Sequence, residues 1–211
     1  MTTLNLTITA ERAWMSQDHA LASTSKELPE SVEKLHLCHD RKMVVGAAGS
    51  FLHAMLWRAR LAAMPEGDIS EVAQWAPDAL REIVKIPVAT DVADLIVIHA
   101  GWSSSEGRVI AFIYQRANDF APLRVDQGHT YTPSELSNDA PGYPRLYELW
   151  PQAAEGRRVK EFHAALLENQ RFSSAAGRLL NDTNISESFS IVAIDHVGIH
   201  AVEGCDLKSR P

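Results

Sequence analysis

A threonine at the second position is equipped to be nucleophile and base at once. If Met1 is removed, which a residue as small as Thr2 permits, the chain begins with a hydroxyl nucleophile whose own α-amine can take its proton. An unperturbed α-amine titrates at about 7.7–8, close to working pH, so this chemistry needs no histidine. It does need a cation to depress the amine pKa and help the hydroxyl lose its proton, and an anion to hold that cation. Lys34 and Asp18, at the ends of expected strands, are the candidates for these roles. Acyl transfer also wants backbone N–H donors aimed at a developing oxyanion, and small residues at a strand-to-helix junction supply them. Gly46-Ala47-Ala48-Gly49-Ser50 is such a junction.

Other chemistries have less support. The same junction lacks the Gly-Lys-Ser/Thr ending of a phosphate-binding loop. His36, Cys38 and His39 cluster, but neither HExxH nor paired CxxC spacing is present, so neither a metal nor a cofactor is expected. No Gly-x-Ser-x-Gly elbow marks a serine nucleophile. The two cysteines, Cys38 and Cys205, are too few for a disulfide framework and fit a reducing compartment.

The elements that must position these residues follow from periodicity. Leu4, Leu6 and Ile8 alternate with Thr3, Asn5, Thr7 and Thr9, which predicts a strand, and residues 12–18 return as its hairpin partner, ending at Asp18. Residues 34–39 and 42–48 read as a second hairpin turning at Asp40-Arg41. Ser50 is a plausible N-cap for a helix carrying Leu52, Met55, Leu56, Ala59 and Ala63, and a second helix runs from Ile69 to Ile86 with Pro77 inside it. Strands at 95–99, 109–114 and 123–125 follow, then an irregular stretch at 130–144, a helix at 157–180 and a closing hairpin at 188–195 and 198–202. Hairpin-linked strands imply antiparallel sheets, and helices in blocks imply separate layers, so an α+β, four-layer αββα sandwich is expected. No repeat or composition break divides the chain, which reads as one domain over residues 1–211.

Thr2, Asp18 and Lys34, followed by a Gly-Ser turn, resemble the proteasome β-subunit group of N-terminal-nucleophile hydrolases. In that family the aspartate and lysine follow the threonine by sixteen and thirty-two positions, as Asp18 and Lys34 follow Thr2 here. The Thr-Thr start, the Lys-Leu pair opening the third strand and the order of elements also match over nearly the whole chain. The turn from Val45 to Ser50 resembles the family's turn whose glycine N–H contributes the oxyanion hole, most closely that of the bacterial proteasome-like peptidase HslV, which implies Gly49 as the donor. The chain is identified as a self-sufficient bacterial homologue of the betaproteobacterial group. The resemblance implies that Asp182 and Ser186 support the threonine amine, with Ser186 one position off the usual spacing. The family's further serine has no clean counterpart; either Ser134 or a threonine in the run from His129 to Ser134 stands in for it, or this part of the machinery is missing.

The resemblance further implies a threonine-type endopeptidase acting on peptides or unfolded protein inside a homo-oligomeric ring or double ring. A separate ATP-dependent unfoldase would serve it, since nothing in the chain resembles an ATPase. Strand alternation puts Lys34, His36 and Cys38 on one face, so His36 is expected to line the pocket for the residue before the cut, with Ala47 and Ala48 as the other wall. A titrating His36 would raise tolerance for acidic residues as pH falls from about 8 to 6; the alternative is that His36 faces a neighbouring subunit or solvent. Net charge is −7 with no basic run, which argues against nucleic acid. Neither a signal peptide nor a membrane span is legible, so a cytoplasmic protein is expected. Two rival readings are a ring-forming homologue with degraded catalysis and an unrelated soluble ligand-binding domain.

Overall fold

The computed structural model describes residues 3–18, 35–64, 66–87, 94–133, 136–175 and 188–206. The period-two pattern at the start gives β1 (Leu4–Ile8), paired antiparallel with β2 (Ala13–Asp18) so that Leu4 faces Gln17 and Ile8 faces Ala13. β3 (His36–Cys38) turns into β4 (Met43–Gly49) through a 3-10 turn at His39–Arg41, closed by Lys42 in the left-handed region at φ 46°. Two helices follow, α1 (Phe51–Ala63) and α2 (Ile69–Ile83), then β5 (Leu95–Ser103), β6 (Arg108–Gln115), β7 (Leu123–Val125) and β8 (Thr130–Tyr131). The chain closes with α3 (Tyr143–Ala154), α4 (Val159–Ala175), β9 (Ser188–Ile194) and β10 (Ile199–Asp206).

The strands form two five-stranded antiparallel sheets, ordered β10-β9-β2-β1-β8 and β3-β4-β5-β6-β7. Leu4, Leu6, Ile8 and Met15 of the first sheet pack against Val44, Ile98, Ala111 and Ile113 of the second. The outer face of the second sheet, with Met43, Val45, Val97 and Tyr114, is covered by Trp57 and Leu61 of α1 and by Ile69, Val72, Ala76 and Leu80 of α2. Helices α3 and α4 pack on each other and on Trp14, Phe189 and Ile191 of the first sheet. The protein is thus α+β, a four-layer αββα sandwich. Close approach of the sheets depends on Gly46, where a Cβ would lie 2.5 Å from Leu4 Cδ1.

Helix starts have identifiable caps. Ser50 is the N-cap of α1, its Oγ accepting from the His53 N–H, and Asp68 with Glu71 forms a capping box on α2. The buried face of α1 is not the one expected: His53, Trp57 and Leu61 point inward at i, i+4, i+8, whereas Phe51, Leu52 and Met55 are exposed. The stretch read as irregular holds β8 and the first residues of α3. Among the described residues no helix is long and apolar enough to cross a membrane.

Candidate active site

One step beyond the Leu4–Gln17 pair, Thr3 lies across from Asp18 at the end of the hairpin away from its turn. Asp18 is completely buried, and its Oδ1 accepts the backbone N–H of Thr3 at 2.9 Å and the Thr3 hydroxyl at 3.0 Å. These are not its only interactions. A buried carboxylate is costly unless hydrogen-bonded and paired, so an aspartate in this position is a strong constraint on its surroundings. Thr2, Lys34, Ser134, Asp182 and Ser186 lie outside the described residues.

The second sheet meets β2 at Ala47, two residues before the Gly49 turn, where the Ala47 carbonyl accepts from Gln17 Nε2 at 2.8 Å. Gly49 has φ +105°, and a Cβ there would lie 2.0 Å from the carbonyl oxygen of Asp94, so the backbone admits only glycine. The Ser50 N–H donates to that same oxygen at 3.3 Å, and α1 begins at the next residue. A helix of this length directs its positive dipole end and orphan N–H groups at whatever stands before it.

Of the expected pocket residues, the structure brings two together and separates the third. Cys38 and Ala47 pack with the α1–α2 core, and Leu37 packs between the sheets, so alternation puts His36 and Ala47 on one face of β3–β4 beneath α1. Ala48, one residue on from Ala47, faces the opposite way. Burial, and then the Arg58 guanidinium, hold the His36 imidazole below its ordinary range. Burial pushes the Cys38 thiol up to about 11 against the pull of Arg41 and Arg58. Among the described residues the charge that acts on His36 is Arg58, on α1, which strand alternation gave no reason to single out.

A second feature escaped the sequence altogether. The polar face of β1 is buried, with Thr3, Asn5 and Thr7 at 2%, 0% and 1% exposure, against α4. Asn5 and Gln170 exchange two amide hydrogen bonds, at 2.9 and 3.2 Å, and Gln170 also donates to Thr132 Oγ1 at 2.6 Å. His163 bridges the strands from above, with Nδ1 2.7 Å from Ser16 Oγ and Nε2 3.0 Å from Thr7 Oγ1, which also meets Thr130 Oγ1 at 2.8 Å. Burial drives the His163 pKa down to about 3, so the ring is neutral and each nitrogen exchanges a hydrogen bond with a hydroxyl. This layer fixes β1, β2 and β8 to α4, and the register of β8 runs from Thr7 opposite Thr130 to Leu6 opposite Tyr131, toward the Thr3 end.

No family model matches the chain, and no curated protein matches it. Solved structures do. Anbu (ancestral beta-subunit) from Yersinia bercovieri is similar at TM-score 0.63 and 11% identity, covering 98% of this chain and 86% of that one. An Anbu (Gly-1) mutant from Hyphomicrobium sp. strain MC1 is similar at TM-score 0.64 and 14% identity, covering 98% of this chain and 87% of that one. Identity this low carries the fold, and the sandwich is of the N-terminal-nucleophile type. It also corrects the assignment to the proteasome β-subunit and HslV-like family and its betaproteobacterial homologues: the chain is similar to Anbu structures, a distinct and only distantly related branch of the proteasome-like folds.

Proposed function

We propose that this protein is a proteasome-like threonine peptidase, with Thr2 as its N-terminal nucleophile after removal of Met1. The observation that carries the reading is the fully buried Asp18 carboxylate, bonded through Oδ1 to both donors of Thr3, the residue next to the proposed nucleophile. In this reading Lys34 is the cation that Asp18 holds. The α-amine of Thr2 takes the hydroxyl proton as Oγ bonds to the substrate carbonyl carbon, and the resulting oxyanion receives the Gly49 N–H at the start of α1. Collapse of that intermediate breaks the C–N bond, the α-amine delivers its proton to the leaving amine, and water then hydrolyses the ester by the same route. Asp182, Ser186 and either Ser134 or a neighbouring threonine steady the amine.

The reading extends to one domain over residues 1–211, a cytoplasmic homo-oligomeric ring enclosing the sites, peptide or unfolded protein as substrate, and a separate ATP-dependent unfoldase. Ring assembly draws support from the similar structures, one of which is titled an ancestral beta-subunit. A second reading, a ring-forming homologue with degraded catalysis, draws on Thr130 and Thr132, whose hydroxyls are engaged by Thr7 and Gln170. Labelling with a peptide epoxyketone separates the two. The peptidase reading expects a covalent adduct on wild type and none on Thr2→Ala, with the assembly unchanged. An assembled wild-type protein that takes no label favours the second reading.

A further inference from the structure

We propose that Gln17 is a positioning residue of this site, tying the strand that carries Asp18 to the turn that carries Gly49. Its catalytic consequence rests on the peptidase reading above; the tie itself does not. Gln17 lies opposite Leu4, on the face of β2 that Met15 also uses to pack toward the second sheet. Only 1% of it is exposed. Its Nε2 donates to the carbonyl oxygen of Ala47 at 2.8 Å, and because a carbonyl only accepts, this contact fixes which end of the amide is nitrogen.

Gln17 Oε1 is buried with no hydrogen-bond partner among the described residues. Orphaned buried acceptors are rare because each forfeits its hydration without return. Beside Leu4 and Met15, a methionine would fill nearly the same volume without that cost. Packing therefore does not account for glutamine here; what it adds is the bond across the sheets.

That bond lands on β4 close to its end. Among the described residues β3 pairs with β4 from Cys38 opposite Met43 to His36 opposite Val45, and Ala47 lies across from Val97 of β5. Gln17 adds a restraint from the opposing sheet. Ala47 is two residues before Gly49, and Gln17 is the residue before Asp18. One side chain thereby links the strand that ends at Asp18 to the turn that holds Gly49.

Gln17→Met tests this by two readouts. Hydrogen exchange at residues 46–49 should accelerate roughly tenfold, as loss of one backbone-directed hydrogen bond implies, while β6 amides are unchanged and Tm stays within about 2 °C. The maximal rate of epoxyketone labelling should fall roughly tenfold with the half-saturating concentration changed less than about twofold. Unchanged exchange at residues 46–49 overturns the proposal whatever labelling does. Faster exchange in a protein whose wild type takes no label supports the tie and sinks the peptidase reading instead. Gln17→Leu repeats the comparison should the methionine variant fail to fold.

Discussion

Thr3 and Asp18 are joined by two hydrogen bonds to a single carboxylate oxygen, Oδ1, at 2.9 Å from the backbone N–H and 3.0 Å from the hydroxyl. Asn keeps an acceptor in that place and loses only the charge, whereas Ala removes both. Asp18→Asn should therefore fold with a loss of at most about 1–2 kcal/mol but lower the hydrolysis rate at least ~100-fold, through a loosened Lys34. Asp18→Ala, leaving two buried donors unpaired, should cost about 2–4 kcal/mol. Wild-type turnover by Asp18→Asn would remove the carboxylate from the mechanism. Urea titrations and peptide hydrolysis read both effects.

Gly49→Ala places a methyl carbon against the Asp94 carbonyl, 2.0 Å from its oxygen, at a φ that side chains rarely adopt. Strain of this kind costs about 1–3 kcal/mol before the clash is relieved. The variant should melt measurably lower and lose labelling, because relief of the clash moves the N–H proposed for the oxyanion. Unchanged melting and labelling would mean that this backbone plays neither part.

Two buried histidines make stability depend on pH. His163, between Ser16 and Thr7, and His99, which accepts the Trp57 indole N–H at 3.0 Å, are each driven by burial to a pKa of about 3. Unfolding returns them to about 6.5, so below that pH the unfolded chain binds protons that the folded one refuses. Stability is fully present above about pH 6.5 and is lost as pH falls from there toward 3. Between pH 7.5 and 5 the two together should remove about 4 kcal/mol, roughly 10 °C in Tm, measurable by thermal melts in matched buffers. A flat profile over that range would show that the rings are not held neutral.

His36 bears on specificity. Burial and then Arg58 push its pKa below the ordinary imidazole value, so the rising taste for acidic residues expected between pH 8 and 6 is displaced toward lower pH. Arg58 supplies a charge that does not titrate. Peptide-library cleavage should show acidic residues before the cut gaining less between pH 8 and 6 than an ordinary imidazole would give, and disfavoured in Arg58→Met. A preference that changes with a midpoint near about 6.5 and is abolished by His36→Leu would contradict this.

What the sequence disclosed and what it concealed follow from range. Leu4, Leu6 and Ile8 announced β1 because alternation is local, and Gly49-Ser50 announced the start of α1 because a cap is. Helix α3 was masked by Pro144 and Pro151 and by an N-cap, Gly142, that offers no side-chain hydrogen bond. On α1 the apolar residues Leu52 and Met55 misled, since the face that packs is set by Trp57 meeting the second sheet. The polar layer was out of reach for the same reason. Nothing near Asn5 indicates that Gln170, 165 positions away, will cover it, and an alternating strand with a polar face reads as half-solvated until α4 is placed on it.

The central claim is that the chain's own α-amine, exposed by loss of Met1, is the base for the Thr2 hydroxyl. Intact-mass and N-terminal fragment analysis of the purified protein, before and after incubation with a peptide epoxyketone, measures this in one experiment. The expected result is a chain beginning at Thr2 that gains one probe mass, with the fragment bearing it containing Thr2 and its amine. A chain that retains Met1, or one that begins at Thr2 and gains no mass, would contradict it.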